Sequence, residues 1–83
     1  MTGDPVFEEL RSYVARAFRD GATAGLEADT PLVTSGIIDS AGVVQLVLFI
    51  EQRFAVRVAD AEVTIEHFNS LAELAAFVRA KLG

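Results

Sequence analysis

The residue best placed to do chemistry in this chain is a serine. Ser40 stands in "TSGIIDSAG", residues 34–42, directly ahead of "VVQLVLFI", the most apolar run of the sequence, and Asp39 precedes it. A serine hydroxyl becomes a strong nucleophile when a histidine oriented by an acid removes its proton, an arrangement often carried by a G-x-S-x-G elbow. Here the neighbours are Asp39, Ala41 and Gly42, and the single histidine, His67, lies beside Phe68 close to the last predicted helix. His67 is expected to face solvent there. A chain of 83 residues also leaves little room for a water-excluding pocket. Catalysis is therefore not expected, and no catalytic residue is assigned. With no cysteine, one histidine and no EF-hand spacing among the acids, no metal site is expected either. "GATAG" is not a phosphate loop, because it lacks the Gly-Lys-Ser/Thr ending and a preceding strand.

Two uses of Ser40 survive. A serine at a helix start can be the N-cap, its oxygen accepting one of the orphan backbone N–H groups. The same position suits a covalently attached phosphodiester, because the positive end of the helix dipole and the free N–H groups favour an anion. Gly42 would keep the first turn uncrowded. On the residues alone both uses stay open.

The elements that must position Ser40 follow from pattern. A first helix should start at Asp4-Pro5, with aspartate as N-cap, proline at the first helical position and Glu8 and Glu9 in the first turn. Phe7, Leu10, Val14, Ala17 and Phe18 repeat at the helical period and form its core stripe. Gly21 and Gly25 end it and open a long connection, "GATAGLEADTPLVTSGIID", which Leu32, Ile37 and Ile38 can anchor. The second helix runs from about Ser40 to Phe54. Asp60 is placed to cap a short third helix near residues 61–66. Ser70-Leu71-Ala72-Glu73 has the capping-box pattern that opens a last helix, with Leu71, Leu74, Val78 and Leu82 as its stripe and Phe77 nearby. The expected fold is all-α: three main helices, one short third helix and a long first loop, in one domain spanning residues 1–83.

Composition fits a small helical bundle that depends on its core. Hydrophobic residues make up 52% of the chain, and a domain this small buries only about 60% of its unfolded surface. No run approaches the ~20 apolar residues of a membrane span, and "MTGDPVFEEL" has no basic leader region, so a cytoplasmic location is expected. The net charge of −5 is uneven: residues 20 to 66 carry −6 and the remainder +1. Such an acidic middle disfavours nucleic acid and anionic membrane as partners.

The second helix is apolar on more than one side. Val43, Leu46, Val47, Ile50 and Phe54 share one arc of a helical wheel, the expected core face. Ala41, Gln45, Leu48, Phe49 and Gln52 fall opposite, where a helix that only had to fold would carry charges. Either Leu48 or Phe49 packs beneath the long loop, or the face docks a partner beside Ser40, which is the favoured reading.

The run Leu32-x-x-x-Gly36-Ile37-Ile38-Asp39-Ser40, then Val44-Gln45-Leu46-Val47 and Phe54-Ala55-Val56-Arg57-Val58, resembles an acyl carrier protein over essentially the whole chain. The resemblance implies a four-helix acyl-carrier-type bundle, monomeric and not an enzyme. It implies that a phosphopantetheinyl transferase attaches 4′-phosphopantetheine from coenzyme A to Ser40, using Mg²⁺, and that acyl or aminoacyl groups ride on that arm as thioesters. Asp39 would help present Ser40 to the transferase. Ala41, Gln45, Leu48, Phe49 and Gln52, with Val63 and Phe68 around the third helix, would meet the loading enzyme and downstream synthases. Two departures set this chain apart. The serine is followed by Ala41-Gly42 instead of leucine, and Gln45, Gln52 and Arg53 stand where many fatty-acid carriers have glutamates. "DSAGVVQLV" is closer to stand-alone carriers of polyketide or nonribosomal-peptide-type biosynthesis and to D-alanyl carriers. The alternatives are a housekeeping fatty-acid or D-alanyl carrier, or a non-carrier helical interaction module.

Overall fold

Every helix of this protein begins where a side-chain oxygen can take a backbone N–H that has no partner in the first turn. The computed structural model describes Asp4 to Gly83. Among these residues it contains α1 (Pro5–Phe18), α2 (Ser40–Phe54), α3 (Ile65–Phe68) and α4 (Leu71–Leu82), with a 3-10 turn at Asp60–Glu62 and no strand. The fold is an all-helical bundle of the acyl-carrier type. Asp4 caps α1 by accepting the Val6 N–H at 3.0 Å, with Pro5 at the first helical position, and pairs with Arg79 of α4. Ser70 caps α4 by accepting the Glu73 N–H at 3.1 Å.

The third helix is shifted from its expected place. Asp60 does not cap a helix over residues 61–66; it opens the 3-10 turn, and α3 starts later, capped by Thr64 through the His67 N–H. Glu62 explains the early stop. Its carboxylate turns back to accept the Ala59 N–H at 2.9 Å and also holds Lys81 of α4 at 2.6 Å. Lys81 and that backbone bond keep the Glu62 carboxyl below its ordinary value of 4.5. The turn is thus tied to α4 before a regular helix can propagate through it.

Helix α4 lies against the other three, and the core forms around it. Leu10 and Val14 of α1, Leu46 and Ile50 of α2, Phe68 of α3, and Leu71, Leu74 and Val78 of α4 are fully buried. Five expected core positions differ. Ala17 is exposed while Ala15 is buried, so the α1 stripe is rotated toward Ala15 at its end. Leu82 is 51% exposed, because α4 ends there with no element packed over it. Val43, Val47 and Phe54 are only partly buried against the core. Phe54 closes α2, its ring edge-on to Phe49 at 6.2 Å and beneath the Arg53 guanidinium. Arg53 reaches back to α1 and donates twice to Glu9, at 3.1 and 2.8 Å. That pairing holds the Glu9 carboxyl below its ordinary value.

The long connection between α1 and α2 has packing of its own. Leu26, Leu32 and Ile38 are buried in the core, while Ile37 is only half-buried. Its backbone is held chiefly by Asn69, between α3 and α4. The Asn69 side-chain carbonyl accepts the Val33 and Thr34 N–H groups at 2.9 and 3.0 Å, and its main-chain carbonyl accepts the Leu32 N–H at 2.7 Å. Arg11 of α1 donates to the Leu26 carbonyl at 3.1 Å. No helix among the described residues is long and apolar enough to cross a membrane.

Neighbouring positions on α2 separate core from surface. Leu46→Ala should cost about 2–5 kcal/mol in chemical denaturation, because its side chain is wholly buried. Gln45→Lys, one residue earlier and exposed, should leave stability within about 0.5 kcal/mol.

Candidate functional site

The first turn of α2 assigns capping to a residue other than Ser40. Asp39 is the N-cap: its carboxylate accepts the Gly42 N–H at 2.8 Å, and its carbonyl accepts the Val43 N–H at 2.9 Å. Ser40 is therefore the first helical residue, exposed and outside the cap. The expectation that Ser40 itself could serve as N-cap is corrected. An extended backbone at Asp39 (φ −92°, ψ −174°) aims the carboxylate along the helix axis, the geometry a cap requires. The exposed Ser40 hydroxyl is left outside the cap, beside the N–H groups of the first turn.

Gly42 fixes where that turn can sit. It is buried, and a Cβ at this position would lie 2.7 Å from Cε1 of Phe18 and 2.9 Å from Cγ2 of Ile38. Such approaches are shorter than side chains tolerate, so any side chain at residue 42 would force Phe18 or Ile38 to move. Phe18 is braced in turn by Tyr13, edge-on at 6.1 Å, and Tyr13 stacks on Phe49 at 4.1 Å with the planes 12° apart. Ser40 stands two residues before this contact and is positioned by it.

One helical turn beyond Ser40 the surface becomes aliphatic. Val44 and Leu48 follow at intervals of four, so they lie along one side of α2, and both are more than half exposed. They border a shallow groove of about 240 Å³ with Val43, Val47, Val58, Asp60 and Val63. A second groove, of about 120 Å³, shares Val43 and Val63 and runs on to Val33, Thr64, Ile65 and Phe68. The two make one trough between α2 and the segment from the 3-10 turn to α3.

The other residues singled out from the sequence divide into groups. Ala41, Gln45, Leu48 and Gln52 are exposed on α2, and Val63 lines the trough. Phe49 is half-buried in the α1–α2 contact, not beneath the long loop and not free on an outer face. Phe68 is 1% exposed, so it is a core residue and not a surface one. His67 is only half exposed: its Nδ1 is 2.8 Å from the Glu62 carbonyl and its ring stacks on Phe77. Sequence reasoning missed Val44, Ile65 and Asn69. The four-residue spacing from Ser40 could have found Val44. Ile65 was out of reach once the third helix had been placed too early.

Comparison with known proteins gives the family of the chain. Residues 8–78 match the family model described as a phosphopantetheine attachment site. The chain is 32% identical over 71 residues to the probable acyl carrier protein PigG of Serratia sp. (strain ATCC 39006), covering 86% of this chain and 82% of that protein. The chain belongs to the acyl carrier protein family. Its members are non-catalytic carriers, and the matched domain is the attachment site of the 4′-phosphopantetheine prosthetic group. Carrier proteins of this family work with phosphopantetheinyl transferases and biosynthetic enzymes. A chain in the crystal structure of an FAD-dependent dehydrogenase has the same fold, with a TM-score of 0.74 and 34% identity over 82% of this chain and 96% of that one.

Two substitutions test how the carrier's first turn is built. Asp39→Ala should cost about 1 kcal/mol through loss of the cap, whereas Asp39→Asn, which can still accept the Gly42 N–H, should cost a few tenths at most. Thermal melts compare the two. Gly42→Val should cost about 1–3 kcal/mol, because its side chain must displace Phe18 or Ile38, and helix propensity returns only a few tenths. Loss of the Phe18 and Ile38 cross-peaks to residue 42 in NMR spectra would locate the damage.

Proposed function

We propose that Ser40 is the attachment residue and that the chain is a stand-alone carrier of acyl or aminoacyl groups. The observation that supports this best is the division of labour at the helix start. Asp39 satisfies the Gly42 N–H, and the exposed Ser40 hydroxyl is left for a transferase to reach. In the loading reaction a bond forms between Ser40 Oγ and the pantetheine-side phosphorus of coenzyme A. The pyrophosphate bond breaks, adenosine 3′,5′-bisphosphate leaves, and the transferase takes the hydroxyl proton. The phosphodiester then sits at the positive end of the α2 dipole, where its charge is best tolerated. The residues present suit the group: an exposed serine, uncrowded by Ala41, stands one helical turn before Val44, which lines the aliphatic trough. When bound, the arm supplies a thiol that holds the cargo as a thioester, and its length raises the cargo's effective concentration at each partner enzyme.

On this reading the chain is a tethered substrate for its partners: a phosphopantetheinyl transferase, an acyl- or aminoacyl-loading enzyme, and downstream synthases. Asp39 presents Ser40 to the transferase. Ala41, Gln45, Leu48 and Gln52 meet the partners, with Val63 at the trough. Residues 1–83 act as one monomeric carrier domain in the cytoplasm. The departures at Ala41-Gly42, Gln45, Gln52 and Arg53 support specialised biosynthesis, of polyketide or nonribosomal-peptide type, over a housekeeping fatty-acid role. The carrier-fold chain in an FAD-dependent dehydrogenase crystal makes a flavin-dependent dehydrogenase one partner class to test.

The deciding experiment is intact-mass spectrometry. Incubation with coenzyme A, Mg²⁺ and a broad-specificity transferase should add one phosphopantetheine to the native chain and none to Ser40→Ala. Addition that survives the substitution would move the site elsewhere. No addition at all, with binding to a partner unaffected by Ser40→Ala, would favour a non-carrier interaction module.

A further inference from the structure

The hydrogen bonds that close the loop ahead of Ser40 converge on a residue outside it. Residues 32–38 form a ring, closed where the Ile38 N–H donates to the Leu32 carbonyl at 3.0 Å. Inside it the Gly36 N–H donates to the Val33 carbonyl at 3.1 Å. Asp39 and Ser40 follow directly. The ring hangs on Asn69. Its main-chain carbonyl accepts the Leu32 N–H at 2.7 Å, and its side-chain oxygen accepts the Val33 and Thr34 N–H groups at 2.9 and 3.0 Å. Those two bonds occupy both lone pairs of that oxygen; the Thr34 hydroxyl lies farther off, at 3.4 Å. Asn69 is in turn fixed from both sides. Its N–H donates to the Ile65 carbonyl at 2.9 Å, and its neighbours Phe68 and Ser70 are buried, Ser70 as the cap of α4. The ring's own side chains hold it less firmly: Thr34, Ser35 and Gly36 are exposed, and Val33 and Ile37 are only half-buried. Water can satisfy exposed N–H groups too, so the Asn69 bonds add little net stability. What they select is one arrangement of the ring.

We propose that Asn69 is a positioning residue for the loading of Ser40: it holds residues 33–37 in one arrangement before the transferase arrives and takes no part in the transfer itself. This deepens the Ser40 reading and rests on it. The held segment ends three residues before the reacting hydroxyl, so an enzyme that closes on Ser40 Oγ must accommodate it. A ring free to sample several arrangements would present the accepted one only part of the time, and the apparent affinity falls by that fraction. Holding it in advance removes that ordering cost from the encounter. Once the complex has formed, the new bond from Ser40 Oγ to phosphorus makes no use of Asn69, so the effect belongs to binding and not to turnover. Both partners of the Asn69 side chain are backbone donors. A carboxylate at residue 69 would therefore serve as well, beside the positive N-terminal end of α4. A methyl group there would serve neither N–H.

The test is steady-state loading of the full chain by a broad-specificity phosphopantetheinyl transferase, with coenzyme A and Mg²⁺ in excess and the carrier concentration varied. Asn69→Ala should raise the KM for the carrier by about 5-fold or more and leave kcat within about 2-fold. Asn69→Asp, which keeps both acceptors, should return the KM to within about 2-fold of the native chain. Asn69→Ser, whose oxygen is one bond short of the ring, should behave like the alanine variant and carries the test should that one fail to fold. Val78→Ala, wholly buried in α4, should lower the Tm at least as far as Asn69→Ala without moving the KM. A second readout needs no transferase. In Asn69→Ala the Val33, Thr34 and Ile38 N–H groups should exchange with solvent about 10-fold faster relative to the Leu46 N–H. A fall in kcat at unchanged KM would overturn the proposal, as would a KM that rises equally in Val78→Ala or Asn69→Asp. A native chain that gains no mass overturns the Ser40 reading and the loading role together. A native chain that loads normally beside an Asn69→Ala with unmoved KM overturns the positioning role alone.

Discussion

Helix α2 approaches the end of α1 and the Ile38 loop at a point where residue 42 has no side chain, and much else is arranged around that contact. Phe18 and Ile38 fill the space a Cβ would have taken. Phe18 is held by Tyr13, Tyr13 by Phe49, and Phe49 by Phe54. This aromatic row runs the length of the α1–α2 contact, from the first turn of α2 to its last residue. Because interiors are close-packed, a shift at one end is transmitted along such a row instead of being absorbed locally. The Arg53–Glu9 pair closes the same contact at the far end, although an exposed ion pair of this kind contributes little beyond geometry. Ser40 is placed by packing that lies behind it, and its own side chain takes no part in that packing.

The long loop solves a second problem. Twenty-one residues separate α1 from α2, and a connection of that length without secondary structure would normally be mobile. Here Leu26, Leu32 and Ile38 enter the core, and Asn69 gathers three consecutive backbone N–H groups, those of Leu32, Val33 and Thr34. The donors are main-chain groups, so the side-chain atom that meets two of them must be the amide oxygen. The α3–α4 junction thereby anchors the segment that delivers Asp39 and Ser40. Glu62 works in the opposite direction, tying the other wall of the trough to the end of α4 through Lys81.

Features set by local chemistry were legible in the sequence, and features set by distant contacts were not. Asp4-Pro5, Ser70 and the extent of α2 were readable, because caps and periodicity are properties of adjacent residues. The division between Asp39 and Ser40 was not, since both are good capping residues and the choice depends on how the loop enters the helix. Ala17 and Leu82 followed the helical period but had no opposing element to bury them. Phe68 and His67 are less exposed than their sequence context implies, because α3 begins only at Ile65 and both rings lie against Phe77 of α4. The cause lies 19 positions away: Lys81 holds Glu62 and, with it, the 3-10 turn. Asn69 carried no signal of its own, since nothing in a single asparagine says which loop it will gather. The family resemblance supplied what the residues alone left open, the nature of the group attached at such a serine.

The capping arrangement also bears on why a carrier would keep aspartate before its serine. Were Ser40 the N-cap, its oxygen would accept a backbone N–H, and attaching a phosphodiester there would disturb the bond that starts the helix. With Asp39 in that role, the hydroxyl can be esterified with no loss of helix hydrogen bonding. The cost is an acid beside a phosphodiester, two negative charges one residue apart. The orphan N–H groups and the α2 dipole offset part of that repulsion, and Asp39 spends part of its own charge on the Gly42 N–H. Gly42 thus serves the serine twice. Its missing side chain lets the turn approach Phe18, and its N–H occupies the neighbouring carboxylate.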